Sequence, residues 1–227
     1  DATSFQPVGT IPSLNHSTHD LAVSRDGRRL YASNLASGRV SVIDTVKRET
    51  IASVYTGERC HVVALSNDDS QLWVANIGEN TISIIDTKTF RILGTIPVGK
   101  GPTGLTFSHD GRFAFVSGQG DKTVGVVDTA SHQIVKSIPV GANPHFMVVS
   151  RDGHVWGDAI GDQLVGDIGR CRDAHVDDEG AALAGEAGPV LLGEAFALPG
   201  DEADHAGVIA VRERNLRRCR RAHRRRD

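Results

Sequence analysis

The sequence predicts an all-β chain, a β-propeller of four-stranded antiparallel blades. Three observations lead there. Residue patterns recur every 42 positions from the N-terminus to about residue 156, a period that fits one propeller blade. The runs inside each period are short and rich in Val, Ile, Thr and Phe, and carry no 3.6-residue apolar stripe. Turn residues bound each run.

The period shows first in the tetrapeptides Ser24-Arg25-Asp26-Gly27, Ser66-Asn67-Asp68-Asp69, Ser108-His109-Asp110-Gly111 and Ser150-Arg151-Asp152-Gly153. The same interval joins Asp44 to Asp86 and Asp128, Tyr31 to Trp73 and Phe115, Asn34 to Asn76, and Gly57 to Gly99 and Gly141. The third copy has the clearest punctuation. Gly104 to Ser108 reads as a first strand, and Asp110-Gly111 as a hairpin turn, because both residues tolerate positive φ. Phe113 to Ser117, Thr123 to Val127 and Gln133 to Pro139 supply the other three strands. The Ser and Asp residues of the turns, and Asp44, Asp86 and Asp128 after the third strands, read as closers of Asx-type or Ser-type turns. They recur once per blade, whereas an active site is needed once.

Composition agrees. Aromatic residues make up 5% of the chain and Gly contributes 25 residues, a balance that suits short strands and tight turns better than long packed helices. No run of about 18 apolar residues offers a membrane span. The chain begins at Asp1, as a processed form or a fragment would. Cys60, Cys171 and Cys219 are odd in number and widely spaced, which is neither a disulfide framework nor a zinc pattern. No CxxCH occurs, so c-type haem attachment is excluded.

Charge divides the chain. Residues 1–150 hold 13 acidic and 13 basic side chains, residues 151–210 hold 13 and 3, and residues 211–227 hold 2 and 9. The repeat region is therefore residues 1–156, and residues 157–227 form a tail, acidic and then Arg-rich. The tail contains no Ser, Thr, Lys or Tyr, and the repeat's aromatic position falls on Gly157. No second or third strand of a fourth blade is expected there. A shifted reading frame through GC-rich DNA would produce this alphabet without loss of length. A disordered acidic linker with a basic arm, and a different small domain, are the alternatives. The Arg run from Arg217 to Arg226 would bind phosphates by charge alone, but no aromatic residues are interleaved for base stacking. Nucleic acid is not the expected partner.

The segments Val40-Ser41-Val42-Ile43-Asp44-Thr45, Ile82-Ser83-Ile84-Ile85-Asp86-Thr87, Leu72-Trp73-Val74-Ala75-Asn76 and Ile138-Pro139-Val140-Gly141 resemble the YVTN-family (YncE-like) propeller repeat. The resemblance implies a seven- or eight-bladed ring, of which this chain supplies about 3.5 to 4 blades. It also implies a periplasmic or extracellular location. Relatives with chemistry include lactonases, streptogramin lyases and the haem-binding propeller of nitrite reductase.

Chemistry in a propeller belongs on the innermost strands, which face the central channel. At one register position there stand His19, His61, Thr103 and His145, the candidate ligand-binding residues at one mouth of the channel. Ten residues separate Gly9 from His19, where later copies take four. The extra residues are expected to bring His16 beside His19, making His16, His19 and His61 the candidate metal ligands. His145, two blades beyond His61, is expected to be too far to share an ion with it. Such imidazoles could hold a metal, ligate haem, act as acid or base, or attract an anion; chance is the plain alternative. Cys60 is either a soft ligand or a buried strand thiol. No cofactor is specified. No nucleophile, base and orienter assemble, so a binding module for a protein or small molecule is favoured over an enzyme or cofactor carrier.

Overall fold

A computed structural model describes residues 3–140, 143–150, 153–159 and 167–170. All of these lie in the first of two units, Asp1–Gly185. The tail beyond Arg170, its Arg run and Cys171 and Cys219 fall outside the described residues.

The described residues form strands and turns without helix, arranged as three four-stranded antiparallel sheets and a fourth of three strands. The first blade is β1 (Thr18–Val23), β2 (Arg29–Asn34), β3 (Arg39–Asp44) and β4 (Glu49–Tyr55). The second is β5 (Cys60–Leu65), β6 (Gln71–Asn76), β7 (Thr81–Asp86) and β8 (Ile92–Pro97). The third is β9 (Pro102–Phe107), β10 (Phe113–Gly118), β11 (Thr123–Asp128) and β12 (Gln133–Pro139). In the fourth, β13 (Pro144–Val149) pairs with β14 (His154–Ala159), and β14 with β15 (Asp167–Arg170). No helix among the described residues is long and apolar enough to cross a membrane.

The fourth blade departs from the sequence expectation. The loss of the repeat's side chains after Trp156 pointed to no further strands, yet β14 runs across that point and β15 follows it. Strand pairing is a backbone interaction. Val149 opposes Val155, Val148 opposes Trp156 and Met147 opposes Gly157, so Gly157 keeps its place in the ladder without the aromatic ring. Val155, 2% exposed, supplies a buried side chain.

Each turn bears out its sequence reading. Ser24, Ser66 and Ser108 donate to Asp26, Asp68 and Asp110 at 2.7, 2.6 and 2.6 Å. Asp44, Asp86 and Asp128 each accept two backbone N–H bonds from the turn that follows. Hydrogen bonding to the charged form holds these six carboxyls below the usual range, Asp68 at about 2. The turns also reach from blade to blade: the Arg25 amide donates to Asp69, the Asn67 side chain to the Ser108 carbonyl, and the His109 ring to the Ser150 carbonyl.

The core lies between blades. Tyr31, Val40 and Val42 of the first blade meet Cys60, Val63, Leu72, Val74 and Ile85 of the second. Trp73, Ala75, Ile82 and Ile84 of the second then meet Leu105, Phe107, Ala114 and Val116 of the third. Phe115, Val124 and Val126 meet Met147 and Val155 of the fourth. The recurring aromatic at 31, 73 and 115 is thus the plug that one blade inserts against the next.

Candidate functional site

The four register-equivalent residues sit second in the innermost strands β1, β5, β9 and β13, and each lies at a β-bulge. The pairing of inner strand with its neighbour breaks between Thr18 and Leu21, between Cys60 and Val63, at Pro102–Gly104, and between Pro144 and Met147. A bulge re-aims the side chains at it and frees backbone groups from the ladder. Those groups are recaptured by the preceding blade: Ser33 donates to the His61 carbonyl and Ser117 to the His145 carbonyl. The equivalent residue in the second blade is Ala75, which has no hydroxyl to offer the Thr103 carbonyl.

Three imidazoles meet as a result. The rings of His19 and His61 are 3.9 Å apart between centroids and tilted by 37°. His145 approaches His61 edge-on, with 5.6 Å between ring centroids. The bulges turn the side chains inward, where neighbouring inner strands are packed together. His19 is exposed, His145 half-buried, and His61, at the centre, only 6% exposed. Burial, then the charges of His19 and His145, lower the His61 pKa from 6.5 to about 4. The Thr103 backbone opposes that shift. The His61 Nδ1 is buried without a hydrogen-bond partner.

The other candidates are placed differently. Thr103 is buried, its hydroxyl donating to the Pro144 carbonyl at 3.1 Å, so it braces the third blade against the fourth. His16 is exposed, and the ring contact of His19 among the described residues is with His61. The extra residues before β1 also bind to the first blade. Asn15 donates to Ser41 at 2.8 Å and Thr50 to the Pro12 carbonyl at 2.6 Å. Among the described residues no group of three or more His, Cys, Asp or Glu is arranged to hold a metal ion. Cys60 is fully buried, exchanges hydrogen bonds with the Asn34 backbone, and has its thiol pKa pushed up by burial. It is a structural thiol.

Sequence reasoning found the register but missed the bulge and the bare nitrogen. The Ser33, Ala75, Ser117 alternation was the one legible signal that the second blade differs.

A family model described as YNCE-like beta-propeller matches residues 15–154. No curated protein matches the chain in sequence. Among solved structures, hydrazine synthase from Kuenenia stuttgartiensis is 23% identical with a TM-score of 0.62, covering 70% of this chain and 47% of its own. Virginiamycin B lyase from Staphylococcus aureus is 16% identical with a TM-score of 0.56, covering 66% and 52%. A β-propeller domain from Myceliophteria thermophila is 14% identical with a TM-score of 0.59, covering 69% and 58%. The chain thus spans about half the length of the structures it matches, and at these identities the likeness is one of fold.

Proposed function

We infer function from one premise: this chain belongs to the YNCE-like β-propeller family, matched from residue 15 to residue 154. Propellers are scaffolds for unrelated activities, so the function must be read from the site. Our reading is a binding module that takes a small ligand at the mouth formed by the inner strands, with His61 at its centre and His19 and His145 beside it.

The observation that carries this reading is the buried, unpaired Nδ1 of His61. Native proteins leave few such atoms unpaired, and each costs about 1–3 kcal/mol. With the proton on Nε2, the neutral ring offers Nδ1 as an acceptor. A ligand hydroxyl or amide N–H satisfies it, whereas a carboxylate or phosphate meets a lone pair with its own. The ligand class is therefore a neutral donor such as a sugar, polyol or amide. Acid–base catalysis is the weaker reading, because a general base works best with a pKa near the working pH, and His61 sits at about 4. Export to the periplasm or cell exterior, usual for the family, is part of the proposal.

Ligand-observed NMR against a panel of monosaccharides, polyols and dipeptide amides, with carboxylates and phosphates as the contrasting set, tests it. Binding is expected within the neutral set, lost in His61→Phe and retained in His16→Ala. Binding confined to the anions, or unchanged in His61→Phe, overturns the reading.

A further inference from the structure

The internal repeat allows each residue to be weighed against its own equivalents, and one glycine is then unaccounted for. Gly94 lies inside β8 and pairs with Ile84, next to a register shift. Its equivalents, 42 residues away on either side, are Ala52 and Lys136. Each stands beside the same shift in its own blade, so the bulge does not require glycine. Space does not require it either, because a Cβ added at Gly94 meets nothing within 4 Å, and its backbone is not left-handed. The remaining use of a glycine inside a strand is the close approach of a ligand.

Room for one is present. A cleft of about 360 Å³ is lined by residues 94–97 of the second blade and 132–134 of the third, within the range of about 300–1,000 Å³ usual for small-molecule sites. The third blade contributes His132, the equivalent of Phe90. Both sit at the same turn, with φ of 58° and 57° and amides that donate to the Asp128 and Asp86 carbonyls, so only the side chain differs. Phe90 and Ala52 pack on the core shared by the first two blades. At the next junction His132 and Gly94 replace that apolar pair with a polar ring and an open place. The His132 ring is half-buried and stands edge-on to Trp73, with 5.7 Å between centroids. No lining residue carries a carboxylate, ammonium or guanidinium, and the polar side chains are those of Thr95, His132 and Gln133. We propose that this cleft binds a neutral aromatic molecule, a phenol or an indole. Its ring lies over Gly94 and against His132, and its O–H or N–H bonds to one of the three polar side chains. An aromatic guest extends the edge-to-face pair of Trp73 and His132, and an uncharged wall offers a charged guest nothing to offset its desolvation. The cleft lies at the edge strands β8 and β12, away from the inner strands that carry His61, so the proposal does not rest on the reading of that site.

Saturation-transfer NMR of the full chain with p-cresol and indole tests it, with cyclohexanol and benzoate as contrasts. Wild type is expected to bind the two neutral aromatics and neither contrast, and p-cresol is expected to shift the ring signals of His132. The double variant Gly94→Ala, His132→Phe copies the pair that the protein itself carries one blade earlier, so it is expected to keep the wild-type β circular dichroism and urea midpoint. Its dissociation constant for p-cresol is expected to rise at least tenfold. His61→Phe is expected to bind p-cresol as wild type does. Wild type that binds neither aromatic, or binds cyclohexanol or benzoate equally well, overturns the proposal whether or not the double variant folds. So do His132 signals that p-cresol leaves unmoved, undiminished binding in a folded double variant, or binding lost in His61→Phe.

Discussion

Lowering the pH from 7 to 5 should destabilise the fold through His61. The ring has a pKa of about 4 when folded, against 6.5 for the ordinary side chain. A group whose folded pKa is depressed takes up its proton more readily when unfolded, so stability is full above 6.5 and falls as the pH drops towards 4. At 1.36 kcal/mol per pH unit, the loss is about 2 kcal/mol by pH 5 and about 3 kcal/mol by pH 4. The turn carboxylates are depressed from 3.8, Asp68 to about 2, so their contribution is lost only at still lower pH. The window from 7 to 5 therefore lies above the range of these carboxylates. Urea denaturation of wild type and His61→Gln at both pH values is the assay. Wild type is expected to lose about 2 kcal/mol more than the variant. Equal losses would refute the reasoning, as would an NMR titration in which the His61 ring protonates near 6.5.

Two further outcomes test the architecture. Trp73 is fully buried, edge-on to Phe107 at 5.3 Å, with its indole N–H donating to Gln71 at 2.9 Å. Trp73→Ala should cost about 3–5 kcal/mol in urea denaturation, and a loss below 1 kcal/mol would mean that the second and third blades are not held there. Gly104 faces the next inner strand so closely that an added Cβ would collide with the His145 carbonyl oxygen and come within 2.7 Å of the Ser117 hydroxyl. Gly104→Ala should therefore speed hydrogen exchange in β13 and lower stability by about 1–3 kcal/mol; unchanged exchange there would show that the close approach is not needed.

The fold was legible because it repeats. Tyr31, Trp73 and Phe115 fall in one register since each plugs the same gap, and turn residues such as Asp86 recur because every blade needs its own turn. Legibility failed where one blade differs from the rest. His61 is written like His19 and His145, but only its burial and the methyl of Ala75 set its ring apart, and both are properties of the neighbouring blade. The insert before β1 reads as a means of carrying His16 to the site, and nothing in its residue pattern announces that Asn15 also ties it to Ser41. In the fourth blade the side-chain code ends before the strands do, because hydrogen-bonded backbone tolerates a Gly157 that a side-chain pattern does not.

The links between neighbouring turns have a mechanical consequence. Arg25 to Asp69, Asn67 to Ser108 and His109 to Ser150 each bridge 41 to 44 residues of chain with hydrogen bonds at the rim. Tension applied along the chain meets these clasps one after another, each released only when its blade peels from the next. Every release frees one period of slack, about 42 residues at roughly 3.4 Å, or some 140 Å. Under load the blades would part as a ratchet of equal steps.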